Sequence, residues 1–163
     1  MASVRWQPYR LGVVSVRAES LTMNITDLRQ QAESGNVAAQ AILGTCYLDG
    51  VDFEVNYHEA FRLLSAAADR GASRAVVNLA RMHAEGLGTS KNLSEAIRLY
   101  KAAAKAGEFL AQLELGRIYS RGISVPADPD AARRWYSAAI AQEGRVDDCA
   151  ELQEAKAYLA GAQ

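Results

Sequence analysis

Residues 107–144 read GEFLAQLELGRIYSRGISVPADPDAARRWYSAAIAQEG, and the same pattern occurs twice earlier in the chain. Gly35, Gly71 and Gly107 are spaced by 36 residues; Gly50, Gly86 and Gly122 keep that step, as do Ala60, Ala96 and Ala132. Leu43, Leu79 and Leu115 share it, with Tyr47, His83 and Tyr119 each four residues further on. A fixed period of this length marks a stacked array, in which each unit is one supersecondary element that cannot bury its apolar face without a neighbour. Arrays of this kind expose long surfaces suited to binding.

Punctuation within the period defines the unit. Val37 to Leu48 places Ala39, Leu43, Gly44 and Tyr47 at steps of about four, the spacing of one helical face. Asp49 and Gly50 then break the helix. A second helix starts at Asn56, which has Glu59 three residues on, and again at Asn92 with Glu95. That pairing predicts a reciprocal cap, the carboxylate reaching back to a free amide. The third copy uses Asp128 followed by Pro129, whose missing N–H costs little in a first turn. Each second helix carries small residues, Ala60 and Ala67, Ala96 and Ala103, Ala132 and Ala139, that let a neighbour approach closely. Leu63, Leu99 and Trp135 fill the adjoining stripe. Gly71, Gly107 and Gly144 then stand where a left-handed cap costs a residue with a Cβ about 1–2 kcal/mol. The unit is helix, turn, helix.

Leu115, Gly116, Tyr119 and Gly122, followed by Asp128, Ala132, Trp135, Tyr136, Ala138, Ala139 and Gly144, resemble the Sel-one-like repeat (SLR), a branch of the tetratricopeptide superfamily. The resemblance covers residues 35–144 in three copies, with half copies on either side. Departures are Ala80 in place of the family's glycine, His83 in place of its tyrosine and Leu64 in place of its aromatic. The resemblance implies an all-α fold, a right-handed α-solenoid that scaffolds protein complexes. The expected organisation is a tail or arm over 1–23 and one domain over 24–163. That domain comprises a half repeat at 24–34, repeats at 35–70, 71–106 and 107–143, and a capping helix at 147–160. Leu28 and Ala32 stand before Gly35 as Leu64 and Ala68 stand before Gly71, which marks the half repeat as a second helix. The capping helix should bury Leu152, Ala155 and Leu159 and turn a polar face outward.

Composition fits a globular chain of ordinary domain size: 163 residues, 50% apolar, 23% charged, net charge −1. That balance supplies no basic footprint for nucleic acid. Leu11 to Val16 is too short for a signal-peptide core or a membrane span, and a cytoplasmic location is expected. The N-terminal stretch reads either as an extended tail, with a native start near Met23, or as an ordered strand-like arm that covers a helix or pairs with another copy. Cys46 and Cys149 lie too far apart to form a zinc pair and lack the per-repeat cysteines of secreted relatives, which points to a reducing compartment.

No metal, cofactor or catalytic constellation is expected. His58 sits in the first turn of a helix with no second histidine at a zinc-binding interval, and His83 occupies the aromatic position of the repeat. No serine or cysteine nucleophile has an identifiable base. β-Lactam hydrolysis, associated with some cysteine-rich relatives, loses its support with those cysteines missing.

In the tetratricopeptide superfamily the first helix of each unit lines the inner curve and contacts the partner. That resemblance implies a partner-binding face of Ile42 and Thr45 in unit one, Arg74, Asn78, Arg81 and Glu85 in unit two, and Leu110, Leu113, Arg117 and Arg121 in unit three. Ala38, Ala41, Asp49, Val77 and Glu114 complete it. Arg74, Asn78 and Arg81 share one face by their spacing, and Arg117 repeats Arg81. Guanidinium forks suit an acidic or C-terminal carboxylate group of a partner peptide. The competing reading pairs these arginines with Glu85 and Glu114 as surface ion pairs. A basic stripe on the second helices, Arg98, Lys101, Lys105, Arg133 and Arg134, lacks interleaved exposed aromatics and reads as a solvated face. The expected function is a protein-binding scaffold. The alternatives are a homo-oligomer assembled through the arm or terminal helices and, more distantly, a hydrolase.

Overall fold

A computed structural model describes residues 25–142 and 150–161. Among them the chain forms eight α-helices and no strand: α1 (Ile25–Glu33), α2 (Val37–Asp49), α3 (Tyr57–Asp69), α4 (Ser73–Glu85), α5 (Leu93–Lys105), α6 (Phe109–Arg121), α7 (Pro129–Ile140) and α8 (Ala150–Gly161). The pairs α2/α3, α4/α5 and α6/α7 are antiparallel hairpins, each packed on the next, with α1 against α2 and α8 against α7 and α6. The result is an all-α solenoid.

Local chemistry sets the hairpin. Asn56, Asn92 and Asp128 cap α3, α5 and α7, their side chains accepting from Glu59, Glu95 and Ala131 amides at 3.1, 3.0 and 2.8 Å. The reciprocal half of the expected capping box does not form. The Asn56, Asn92 and Asp128 N–H groups donate instead to the carbonyls of Tyr47, His83 and Tyr119, the repeat's ring positions. With that amide already satisfied, Glu59 and Glu95 turn to Arg62 and Arg98. Each first helix ends on a left-handed glycine, Gly50, Gly86 or Gly122, and two residues later the chain is left-handed again at Asp52, Gly88 and Ser124. Gly88 is fixed by more than its φ, because a Cβ there would sit 2.4 Å from the carbonyl oxygen of Tyr57.

Within each hairpin the second helix drives one large side chain against a small residue of the first. Leu64 fills the space over Gly44 and Tyr136 that over Gly116; a Cβ would fall 2.8 Å and 2.5 Å from them. Ala80 and Tyr100, both buried, occupy the corresponding positions of the middle hairpin. Leu28 and Ala32 of α1 close the first end of the core, and Leu152 and Ala155 of α8 are fully buried at the other. Leu159 is only half-buried, packing beside Tyr158 at the margin. Gly71 and Gly107 adopt the left-handed caps read from the sequence. Gly144, Cys149, the start of the capping helix at 147–149 and the arm at 1–23 lie outside the described residues. No described helix is long and apolar enough to cross a membrane.

Candidate functional site

The first helices α2, α4 and α6 succeed one another along one side of the array, and α8 continues the row. Their unburied positions form an inner wall crossed by side-chain bridges. Asn78 Nδ2 donates to Thr45 Oγ1 at 2.8 Å, and Thr45 turns its own hydroxyl back to the Ala41 carbonyl at 2.8 Å. Arg81 pairs with Asp49, so α4 is tied to α2 twice. At the far end Arg117 Nη2 meets Glu154 Oε2 of α8 at 2.7 Å and its Nη1 meets Glu114 Oε1 at 2.8 Å, while Arg121 reaches Glu154 Oε1 at 2.8 Å. The arginines are therefore largely neutralised within the chain, but by a different set of acids from the one spacing suggests. Asp49 replaces Glu85 as the partner of Arg81, and Glu154 joins Glu114 on Arg117.

Glu154 was not legible as a site residue, since its role depends on how the last helix docks. Its one signal is register: it falls two residues after Leu152, as Arg117 falls two after Leu115. Burial raises its carboxyl, yet the hydrogen bond and charge of Arg117, with the charge of Arg121, hold it below the usual carboxylate range. Glu114 goes the other way. Its side chain is buried under α8, Oε2 has no hydrogen-bond partner, and desolvation pushes the carboxyl up to about 7 against the pull of Arg117. Glu85 is half-buried with no ion pair among the described residues, and desolvation raises it despite nearby Arg81.

Other predicted residues separate by exposure. Ile42 is 48% exposed; Ala38, one turn earlier on α2, and Arg74, the repeat counterpart of Ala38 on α4, are exposed too, Arg74 with no ion pair among the described residues. Leu113 is a correction: at 1% exposure it packs with Tyr136, Ala139 and Ala155 and has no surface to offer. Val77, its repeat counterpart, is buried too, and Leu110 is half-buried against the core of units two and three. These positions face the seam between units, a distinction that helical spacing on one strip of residues does not resolve. His83 stacks edge-on against Phe61 at 5.7 Å between ring centres, as its ring position predicts. Cys46 is half-buried and its thiol is pushed up by burial and then by Asp52 and Asp49, which leaves it unactivated. No group of three metal-ligating side chains occurs among the described residues.

Helical hairpins at one period with a continuous first-helix wall define an α-solenoid repeat protein. A family model described as Sel1 repeat matches residues 37–71, 73–108 and 110–143. The chain belongs to the Sel1 repeat family, whose repeats act as protein-interaction scaffolds and are not catalytic. It is similar to a Sel1 repeat protein from Oxalobacter formigenes, at 39% identity over 83% of this chain and 96% of that one, TM-score 0.67. It is also similar to a protective antigen of uropathogenic Escherichia coli displaying an SLR fold, at 32% identity and TM-score 0.68, over 72% of this chain but 25% of that longer one. Comparison with curated proteins gave no match.

Proposed function

We propose that this chain is a non-enzymatic scaffold that holds a segment of a partner protein along the inner wall of α2, α4 and α6, with an acidic or C-terminal carboxylate group of the partner on Arg74. One observation carries the reading. Arg74 is exposed and unpaired among the described residues, one rung from the exposed Ile42, whereas Arg81, Arg117 and Arg121 already hold carboxylates of the chain itself. A planar fork on an open rung with an apolar neighbour suits a carboxylate flanked by a hydrophobic side chain.

The variant to use is Arg74→Glu with Ile42→Ser, because both side chains are exposed and neither bridges helices. Alanines at Arg81 and Arg117 would unhook Asp49 and Glu154 and confuse binding with folding. Partners captured from native lysate by the wild-type protein should be lost to the variant or bind it at least about tenfold more weakly, the scale of one desolvated charge contact. Retention of the same partners at unchanged affinity would remove the inner wall as the docking face.

A further inference from the structure

On the opposite side of the array α5 and α7 flank an open depression of about 420 Å³ whose floor is aromatic. Tyr119 and Trp135 are half-buried in it, the exposed Lys101 and Lys105 stand one helical turn apart on one wall, and the exposed Arg134 stands on the other. Lys101 Nζ lies over the Tyr119 ring, 5.6 Å from its centre. The basic stripe therefore borders two half-buried aromatics, which the sequence reading, concerned with exposed ones, did not place beside it. Helical spacing lays out Lys101, Lys105 and Arg134, but only the packing of α6 beneath α5 and α7 brings Tyr119 to them. None of the three cations has an ion pair among the described residues, and the one carboxylate in the depression, Asp128, is engaged in capping, its Oδ1 accepting from the Ala131 amide at 2.8 Å.

The repeat supplies an internal control. One period earlier, the groove between α3 and α5 carries Ser65 for Lys101, Asp69 for Lys105, Glu95 for Ala131 and Leu99 for Trp135. Three of the four charge differences make the later groove more positive and only the capping position, Asp128 for Asn92, goes the other way, although the hairpins pack alike and the chain as a whole is at −1. Stacking of units does not require that change. A cationic rim around an aromatic floor complements carboxylates that flank an apolar side chain.

We propose that this groove is a second docking site, for an acidic peptide segment of a partner protein with an apolar side chain between its carboxylates. The carboxylates pair with Lys101, Lys105 and Arg134, and the apolar side chain lies on Trp135. Single-stranded nucleic acid fits less well. One face of Tyr119 is covered by Lys101, and a backbone leaving the groove would meet Asp69 and Glu95 instead of a continuing basic track.

The test titrates fluorescent peptides in which Asp-Glu and Asp-Glu flank Leu, Ile, Phe or Trp, alongside their Asn-Gln counterparts and oligothymidylate, into the full chain. At least one acidic peptide should bind with a sub-millimolar Kd that weakens with salt, and its Asn-Gln counterpart should not. Lys101→Ser with Lys105→Asp, the residues the preceding groove already carries, should weaken binding about tenfold or more. Trp135→Leu, again the preceding groove's residue, should weaken it several-fold, and Arg74→Glu should leave it unchanged, separating this site from the inner wall. The proposal is overturned if no acidic peptide binds below millimolar concentration, if the double variant binds equally well while its circular dichroism is unchanged, or if oligothymidylate binds more tightly than every peptide.

Discussion

Glu114 gives the chain a pH dependence that one substitution should erase. In the fold its carboxyl titrates at about 7, and in the unfolded chain at the ordinary 4.5. At 1.36 kcal/mol for each pH unit between those values, ionising it costs the fold on the order of 3 kcal/mol. The sign follows from proton binding. Below pH 4.5 both states hold the proton and nothing is lost; between 4.5 and 7 the folded state retains a proton that the unfolded state releases, so stability falls as pH rises. Above 7 the loss is complete. Glu59, Glu95 and Glu154, whose carboxyls are held low, change stability only below about pH 4.5, outside this window, whereas Glu85, whose carboxyl is raised by burial, adds to the fall in the wild type. The difference between Glu114→Gln and wild type isolates it. Denaturant unfolding followed by far-ultraviolet circular dichroism at pH values from 4 to 8 should show the variant gaining about 3 kcal/mol on wild type across that range, most of it between 4.5 and 7. Two parallel profiles would show that Arg117 fully compensates the buried charge, and the account of this site would fail.

Gly116→Ala places a Cβ 2.5 Å from the Tyr136 ring, which is buried and has little room to move, so about 1–3 kcal/mol should be lost in thermal or denaturant melts; a neutral result would mean that the ring repacks, as Tyr100 accommodates Ala80. Asn92→Ala removes the acceptor for the Glu95 amide and should lower stability by about 1 kcal/mol, with α5 amides exchanging faster in hydrogen exchange than those of α3. Glu154→Ala strips both Arg117 and Arg121 of a partner, so limited proteolysis should cut within or before α8 sooner than in wild type; an unchanged digestion pattern would show that Leu152 and Ala155 alone hold that helix.

The sequence carried the solenoid almost whole, because helix starts and stops are local chemistry. Asn36, Asn56, Asn92 and Asp128 cap, and Gly50, Gly86 and Gly122 end, at positions their own neighbours dictate. Side-chain pairing was less legible, since it depends on the offset between helices. Glu59 and Glu95 face an arginine one turn on instead of the backbone, because a carbonyl brought in by the turn had already taken the amide. Arg81 meets Asp49 rather than Glu85 because neighbouring first helices are displaced along their axes, which spacing within one helix does not record. Leu113 looked exposed on a helical projection and is buried because α7 and α8 close over it. The cations of the outer groove were visible as a stripe, but Tyr119 belongs to the first helix of its unit and nothing in the linear pattern placed it beneath them.

The bridges along the inner wall are unevenly distributed. Thr45–Asn78 and Asp49–Arg81 join α2 to α4, and Arg117–Glu154 joins α6 to α8, while α4 and α6 are joined by the hydrogen bond that Ser73 donates to the α6 cap Glu108 and by no ion pair among the described residues, Glu85 making none. A spring stitched more lightly at the middle, where no bridge stands at the Glu85 end, yields there first, so the curvature of this molecule should adjust chiefly between its second and third hairpins. Pairs of spin labels spanning that point should give broader distance distributions than pairs confined to either half, and a ligand that supplied a cation to Glu85 would stiffen the joint.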